Sequence, residues 1–347
     1  MIRAYLDWNA SAPLRVEARE AMVAALDQLG NPSSIHAEGR AARALIERSR
    51  AKVAEAAGAM GADVVFVSGA TEAAALACAK RDLVCAPVEH EAVLAWCHSE
   101  LSVDSHGAVE VGEPARTALQ AANSETGVIQ PLPEGLAVVD ATQAFGKVPF
   151  AFDWSGVDMA FVSAHKIGGP KGIGALFIRR GLDVTARLKG GGQEMGRRAG
   201  TENVAAIAGF GAAAEAAGRD LADGVWQEVA ARRDALEERL MAEAPGLICA
   251  GKGADRLPNT TLMIAPGWKG ETQVMQMDLA GFAVSAGSAC SSGKLRGSGV
   301  LAAMGFDETA AGSALRVSIG PATTDEELGR FAETWLGQWV KHRARAA

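Results

Sequence analysis

The sequence predicts an α/β protein with a mostly parallel sheet flanked by helices, joined to a smaller α+β domain. Through the first two thirds of the chain, short β-branched runs alternate with Ala-rich helical stretches, which is typical of βα units. The last third carries separate strand-like runs before a closing helical stretch. The length of 347 residues also exceeds one average domain of roughly 150 residues.

Each element follows from a local pattern. Runs bounded by Gly, Pro, Asp or Ser predict buried strands at residues 64–67, 83–85, 137–139, 159–162 and 175–178. An Ala-, Glu- and Arg-rich segment over 204–243 predicts two helices broken near Asp223 and Gly224. Further strands are expected at 260–264, 283–285 and 315–319, with a helix over 325–342. We therefore expect a large domain at 15–223 and a small one formed by 1–14 and 224–347.

Composition narrows the functional classes. A formal net charge of -7 argues against a nucleic-acid partner. The start lacks the pattern of a secretory signal, and no apolar run is long enough for a membrane span. Five scattered cysteines without a CxxC pair argue against a zinc site or a redox disulfide. We expect a cytoplasmic protein with reduced thiols and no metal.

Two strand ends carry candidate catalytic groups. Lys166 ends the run SAHK after the strand at 159–162, where its amine could form an imine with an aldehyde cofactor; a surface lysine in a Gly-rich loop is the alternative. Asp140 ends another strand, and a pyridoxal ring needs an acid beside its nitrogen. An isolated Asp there is more often a helix cap or turn residue.

Two loops carry further candidates. SGATE at 68–72 opens a helix, where backbone amides and the Thr71 hydroxyl suit a phosphate, although such turns are common. Cys290 lies in a Gly- and Ser-rich stretch, whose flexibility would let a thiolate approach a substrate and then a partner. An incidental loop cysteine is the alternative. Cys78, Cys85 and Cys97 lie in apolar patterns and are expected to be inert packing residues.

Ten segments in order along the chain carry a family resemblance. They are YLD (5–7), GNPSSIH (30–36), SGATE (68–72), EHEAV (89–93), NSETG (123–127), DATQ (140–143), SAHK (163–166), GGGQE (190–194), RAGTEN (198–203) and GSACSS (287–292). Together they resemble the cysteine desulfurases of the NifS/IscS type, within the fold-type I, class V aminotransferase superfamily. The resemblance implies a seven-stranded sheet in the large domain, which would bind the cofactor, and a small domain carrying the cysteine loop.

The resemblance also implies pyridoxal 5'-phosphate as cofactor. Lys166 would bond to its aldehyde, and Asp140 would keep the ring nitrogen protonated. His90, also counted among the catalytic residues, would stack on the ring, and Gln143 would bond its phenolic oxygen. The expected phosphate contacts are Ala70, Thr71, Ser163, His165 and, from a second subunit, Thr201. A homodimer is therefore implied.

The implied substrate is L-cysteine, with its carboxylate held by Asn123 and Arg316. Its sulfur would pass to Cys290 as a persulfide, leaving L-alanine, and then to an acceptor protein in iron-sulfur cluster assembly or thiolation. Two alternatives stay open. One is another class V enzyme, such as an aminotransferase or a selenocysteine lyase, and the other is a non-catalytic scaffold with the same fold.

The sequence departs from the family pattern in several places. Trp8 replaces a small polar residue, and Met195 stands where an arginine is common. After the cysteine loop, Gly, Ser and Gly at 297–299 replace the residues that are usual in the family. Only 12 residues separate Gly127 from Asp140, and the stretch after His90 is also short. These changes put the geometry of the lid and of the cysteine loop in question.

Overall fold

The computed structural model describes residues 3–287 and 297–346 of the chain. In these residues the strands are β1 (Ala4–Tyr5), β2 (Ala62–Val67), β3 (Val84–Cys85), β4 (His98–Ser99), β5 (Ala118–Gln120), β6 (Val138–Asp140), β7 (Met159–Ser163), β8 (Gly174–Arg179), β9 (Ile248–Cys249), β10 (Thr260–Ile264), β11 (Phe282–Ala283), β12 (Ser285–Ala286) and β13 (Ala314–Ser318). The helices are α1 (Val16–Leu26), α2 (Ala37–Ala56), α3 (Ala70–Cys78), α4 (Glu91–Leu94), α5 (Val204–Ala222), α6 (Val225–Glu243), α7 (Gly270–Leu279), α8 (Gly299–Ala303), α9 (Glu308–Ala311) and α10 (Asp325–Ala346).

The central sheet has the strand order β2-β8-β7-β6-β5. The pairs β5–β6 and β6–β7 are parallel, whereas β8 runs antiparallel to both of its neighbours. A parallel bridge between Val84 and Thr117 attaches the parallel pair β3–β4 beside β5. Counted with that pair, the described part of the sheet has seven strands and is mostly parallel, as the sequence and the family resemblance predict.

Strand alternation explains why both faces of the sheet are covered. Along β2, Val64 and Phe66 point into one apolar core, while Val65 and Val67 point into another. Helices α2 and α5 pack over the first face, and α3 packs over the second. A sheet buried on both faces places its free polar groups at strand ends, which is where a site can form.

A third apolar core gathers the amino-terminal segment, α6, α10 and the antiparallel sheet β12-β13-β10-β9. The predicted single strand at 283–285 is wrong. The chain instead forms two strands interrupted at Val284, because β11 pairs with β1 while β12 pairs with β13. The domain limits at residues 14 and 223 stay a prediction.

The remaining predicted elements agree closely with the structure. Helices α5 and α6 are broken where expected, because Gly224 adopts a left-handed φ of 75°. Helix α10 begins at Asp325 as predicted and runs past residue 342. Among the described helices, none has the length and apolar character needed to cross a bilayer.

The cysteines divide into two groups. Cys78 and Cys85 are buried, in agreement with the packing role predicted for them. Cys97 is only partly buried, because it lies between α4 and β4 at the edge of that core. Cys97 therefore packs at the edge of that core rather than inside it, and the expected inertness of the three thiols stays a prediction. Cys290 lies outside the described residues.

Candidate active site

A cavity of about 490 Å³ lies at the carboxyl ends of β6 and β7. Parallel pairing places Asp140 beside Phe161, so the residues that follow both strands meet at one edge of the sheet. The amino-terminal segment, the start of α3 and β13 complete the wall. The cavity is lined by Asn9, Ala10, Ser11, Ser68, Gly69, Ala70, Thr71, His90, Gln120, Ala122, Ser124, Asp140, Thr142, Gln143, Ser163, His165, Lys166, Lys171, Gly172 and Arg316.

Lys166 reaches the cavity from a short 3-10 turn that directly follows β7. Its Nζ donates to the carbonyl of Asn9 at 2.5 Å and to that of Ala10 at 3.1 Å. Both acceptors belong to the amino-terminal segment, so that segment positions the amine. A lysine on a short turn after a buried strand has little freedom to leave the cavity.

Asp140 is buried at the end of β6, where its Oδ1 accepts the backbone N–H of Thr142 at 2.9 Å. Burial raises the pKa of Asp140, while the bonds from Thr142 and the nearby charges of His90 and Lys166 act in the opposite direction. A second buried carboxyl, Glu89, is nearby, and its burial raises its pKa well above the ordinary value. Asp140 therefore needs cationic neighbours to stay deprotonated. The protonated ring nitrogen of a pyridoxal cofactor would be such a neighbour.

The start of α3 and the residues after β7 offer donors for an anion. Helix α3 begins at Ala70, and the first N–H groups of a helix have no partner within the helix. Ser163 is buried nearby, and His165 lies beside Lys166 and Lys171. Burial lowers the pKa of His165 to about 4, helped by the charges of Lys166, Lys171 and Lys147. His165 is therefore a neutral hydrogen-bonding group near neutral pH.

Arg316 forms another wall of the cavity from β13, where it is only 4% exposed. Its Nη1 donates to the Ser124 carbonyl at 3.0 Å and its Nη2 to Asp7 Oδ1 at 2.8 Å. Its Nε is buried and has no hydrogen-bond partner among the described residues. A guanidinium held in this way keeps donors available for a bound carboxylate.

Asn123 is placed differently from the other predicted site residues. It is buried but does not line the cavity. Its Oδ1 accepts the backbone N–H groups of Glu125 and Thr126, and its Nδ2 donates to the Val88 carbonyl at 3.0 Å. Both ends of the amide thus hold the turn that follows β5, and a role in substrate binding stays a prediction.

The remaining predicted site residues fall into two groups. Ala70, Thr71, His90 and Gln143 line the cavity with Lys166. Thr201 instead lines a smaller neighbouring cavity that shares Ser68 and Gly172 with the first. Cys290 lies outside the described residues, so its position relative to Lys166 stays untested.

The departures from the family pattern lie away from the cavity wall. The indole of Trp8 packs directly on Gly320 and leaves no room for a Cβ there. Met195 is 58% exposed, with a left-handed φ of 58°. Gly299 begins α8, where a Cβ would meet nothing within 4 Å. None of the three lines the cavity around Lys166.

Two residues of the site were missed by sequence reasoning. Asn9 is buried and its carbonyl receives Lys166. Lys147 is a buried lysine four residues after Gln143, and it contacts Gln143 and Asn9 without lining the cavity itself. Asn9 lies just after the YLD motif, and Lys147 shortly after DATQ. The distance of each residue from its motif does not distinguish a site residue from a surface residue. The contacts of both residues are made with chain segments that meet only in the fold.

The residues present fit pyridoxal phosphate. Lys166, Lys171 and Arg316 make one cavity cationic, which suits a phosphate and a carboxylate together. Buried His165 Nδ1 and Arg316 Nε lack partners among the described residues, so each has capacity for a bound group. An acid and an amine, Asp140 and Lys166, line the same cavity. These are the groups that a pyridine nitrogen and an aldehyde require.

The family model described as aminotransferase class-V matches residues 4–331 of the chain. The chain belongs to the aminotransferase class-V family. A relative from Cereibacter sphaeroides named cysteine desulfurase is 40% identical, over 96% of this chain and 95% of the relative. A relative from Dictyoglomus turgidum named cysteine desulfurase IscS is 37% identical, over 93% of this chain and 91% of the relative.

Solved structures agree with this class-V assignment. An X-ray structure of a NifS-like protein from Rickettsia africae has a TM-score of 0.88 and 29% identity. It covers 98% of this chain, which in turn covers 99% of that protein. The match confirms the predicted fold type I for this class-V enzyme.

Proposed function

We infer that this class-V enzyme is a pyridoxal-phosphate-dependent cysteine desulfurase that converts L-cysteine to L-alanine. The observation that carries the inference is the meeting of Lys166, Asp140 and Arg316 around one cavity, in a chain whose relatives include named cysteine desulfurases. An amine, a buried acid and a free guanidinium donor are the three groups that this cofactor and an amino-acid substrate need.

The cofactor would be held by residues along the whole cavity. The start of α3 with Thr71, Ser163 and neutral His165 would bind the phosphate, with His90 stacked on the ring. When bound, pyridoxal phosphate supplies an electron sink that weakens bonds at the substrate's α-carbon. Asp140 would keep that sink effective, because a carboxylate beside the ring nitrogen stabilises its proton.

The chain's own residues would then bind L-cysteine and move its α-proton. Arg316 would hold the carboxylate through its free donors, and Asn123 would shape the turn that carries Ser124 beside it. The Lys166 amine, steered by the carbonyls of Asn9 and Ala10, would take the α-proton as general base. Fixed partners on both sides of the substrate orient it for one reaction.

Cys290 would take the sulfur atom. Its thiolate would attack the sulfur of L-cysteine, the bond between carbon and sulfur would break, and the freed carbon would gain a proton to give L-alanine. The enzyme would keep one extra sulfur as a persulfide. An acceptor protein in iron-sulfur cluster assembly or thiolation would then receive it, and we expect this to occur in the cytoplasm.

A homodimer would complete the phosphate site through Thr201 of a second subunit. Met60 and Met195 are 62% and 58% exposed in one open groove, whose other lining residues include charged side chains such as Arg43 and Glu47. Exposed methionines among charged groups are compatible with a contact between protein chains at that face. The loop that carries Thr201 also forms a wall of this groove through Glu194 and Glu202. Contact with a second copy would therefore carry Thr201 toward that copy's cavity.

The direct experiment measures L-alanine and sulfide from L-cysteine, with purified enzyme, added cofactor and a thiol reductant. We expect equal amounts of both products from the native chain. Cys290→Ala should retain cofactor absorbance but lose sulfide. Cys249→Ala, a buried cysteine in β9, is the matched control and should keep activity.

Unchanged sulfide release from Cys290→Ala would exclude the persulfide role. Transamination of another amino acid by the native chain, without sulfide from L-cysteine, would instead identify an aminotransferase. Release of selenide from selenocysteine, with no sulfide from L-cysteine, would identify a selenocysteine lyase. Failure to bind pyridoxal phosphate would support a non-catalytic scaffold.

A further inference from the structure

A second lysine is buried behind the cavity. Lys147 is 2% exposed, and its Nζ donates to Gln143 Oε1 at 2.7 Å and to Asn9 Oδ1 at 3.2 Å. It forms no ion pair with any carboxylate of residues 3–287 or 297–345. Burial of an ammonium without a counter-charge is costly, so a lysine at this place needs a compensating role.

The contacts of Lys147 close a small ring of hydrogen bonds. Gln143 Nε2 donates to the Asn9 carbonyl at 3.0 Å, and the same carbonyl receives Lys166 Nζ at 2.5 Å. Asn259 Nδ2 donates to Asn9 Oδ1 at 3.0 Å from the other side. Lys147 is therefore linked to the catalytic amine through one buried asparagine.

The ring fixes which way the Gln143 amide points. The Asn9 carbonyl can only accept, and Lys147 supplies hydrogens to the opposite end of the amide. A flipped amide would turn its oxygen toward the Asn9 carbonyl and lose that bond. Gln143 thus keeps its N–H groups toward Asn9 and the cavity that it lines.

We propose that Lys147 is a positioning residue that holds the Gln143 amide with its donors toward the cavity and fixes the Asn9 carbonyl that receives Lys166. The proposal rests on the proposed function, because the phenolic oxygen of pyridoxal phosphate is the acceptor that Gln143 would bind. Without Lys147, only the Asn9 carbonyl would hold the orientation of the Gln143 amide, because the Oε1 end would have lost its donor.

The chemistry of lysine suits this place. Burial lowers the pKa of Lys147 well below its ordinary value, and the charges of Lys166 and Arg316 lower it further. A neutral amine still donates hydrogen bonds, whereas an arginine at this position would stay charged. A lysine at this place therefore loses its charge more readily than an arginine would, beside the amine that must act as a base.

The test is a double-mutant cycle read by cofactor affinity. Lys147→Met, Gln143→Ala and the double variant are freed of cofactor and titrated with pyridoxal phosphate by absorbance. We expect Lys147→Met to weaken binding about tenfold, as for the loss of one buried hydrogen bond. In the Gln143→Ala background the same substitution should have little further effect, because the amide that it positions is gone.

Lys171→Met is the matched control. Lys171 lines the same cavity but is exposed and has no described hydrogen bond to Gln143 or Asn9. Its effect should add to that of Gln143→Ala. Lys147→Gln keeps a hydrogen-bond donor and should recover part of the affinity for pyridoxal phosphate. If Lys147→Met does not fold, the cycle is measured with Lys147→Gln instead. A further expected readout is a kcat for L-cysteine that falls more than its KM rises.

Two results would overturn the proposal. One is native cofactor affinity in Lys147→Met, and the other is an additive effect with Gln143→Ala like that of Lys171→Met. Absence of cofactor binding by the native chain would instead refute the proposed function, so the two failures are distinguishable. Thermal unfolding of each variant separates a loss of fold from a loss of positioning.

Discussion

Arg316 offers a quantitative test of substrate binding. Its Nη1 and Nη2 are held by Ser124 and Asp7, and its buried Nε has no partner among the described residues. An Arg316→Lys variant keeps the charge but loses the planar fork, so it cannot hold Asp7 and also grip a carboxylate with paired donors. The loss of one charge-assisted hydrogen bond costs about 1.5–3 kcal/mol. That corresponds to a decrease of roughly 10- to 150-fold in L-cysteine affinity.

The assay compares KM and kcat for L-cysteine with the affinity for L-alanine as a competing ligand. Both ligands carry the α-carboxylate, so both should bind more weakly by the same factor. Cysteamine, which lacks the carboxylate, should bind the native and variant enzymes equally. Affinity for pyridoxal phosphate should change much less, because Arg316 is not among the expected phosphate contacts Ala70, Thr71, Ser163 and His165.

Arg233→Lys is the control for losing an arginine from the interior. Arg233 is 9% exposed and donates to the Leu257 carbonyl at 2.8 Å, away from the cavity around Lys166. This variant should lose stability without a change in KM. The reasoning would be refuted if Arg316→Lys behaved in the same way, because Arg316 would then serve only to join Asp7 to the turn at Ser124.

Two further predictions concern buried ionisable groups. Asp140→Asn should lower kcat by at least tenfold and shift the cofactor absorbance, whereas Glu89→Gln should do neither, because burial already raises the pKa of Glu89 and favours its protonated form. Equal losses in both would contradict this. Hydrogen bonds from the thiols of Cys78 and Cys85 lower the pKa of Cys97 below its ordinary value, whereas burial raises that of Cys249 to about 11. Iodoacetamide near neutral pH should therefore label Cys97 faster than Cys249 by mass spectrometry, and equal rates for both would refute the difference.

The sequence was sufficient to predict the parts of the site that lie on single strands. Asp140 and Lys166 each follow a buried apolar run, and adjacent parallel strands bring their carboxyl ends together. The break at Val284 could not be predicted, because its cause is pairing with strands far away in the chain. The partial exposure of Cys97 depends in the same way on where α4 meets the sheet.

The role of Asn123 shows a different limit. Its motif marks it as a site residue, but a motif does not say which atoms of the side chain remain available. In the fold both ends of its amide bind backbone groups, those of its own turn and the Val88 carbonyl. The turn in question carries Ser124, which lines the cavity and holds Arg316. A motif residue can thus support a site through the backbone that it orders.

Asn9 connects these observations, because it forms hydrogen bonds with residues of both the central sheet and the antiparallel sheet. Its backbone carbonyl and Oδ1 accept from Lys166, Gln143 and Lys147 on the side of the central sheet. Its Nδ2 donates to Thr260 Oγ1 at 2.8 Å, on the antiparallel sheet. A buried amide with all these partners tolerates little displacement, since each lost bond leaves an unsatisfied polar group. Docking of the amino-terminal segment is therefore coupled to the placement of the Lys166 amine, and the cavity is complete only when Asn9 joins the two sheets.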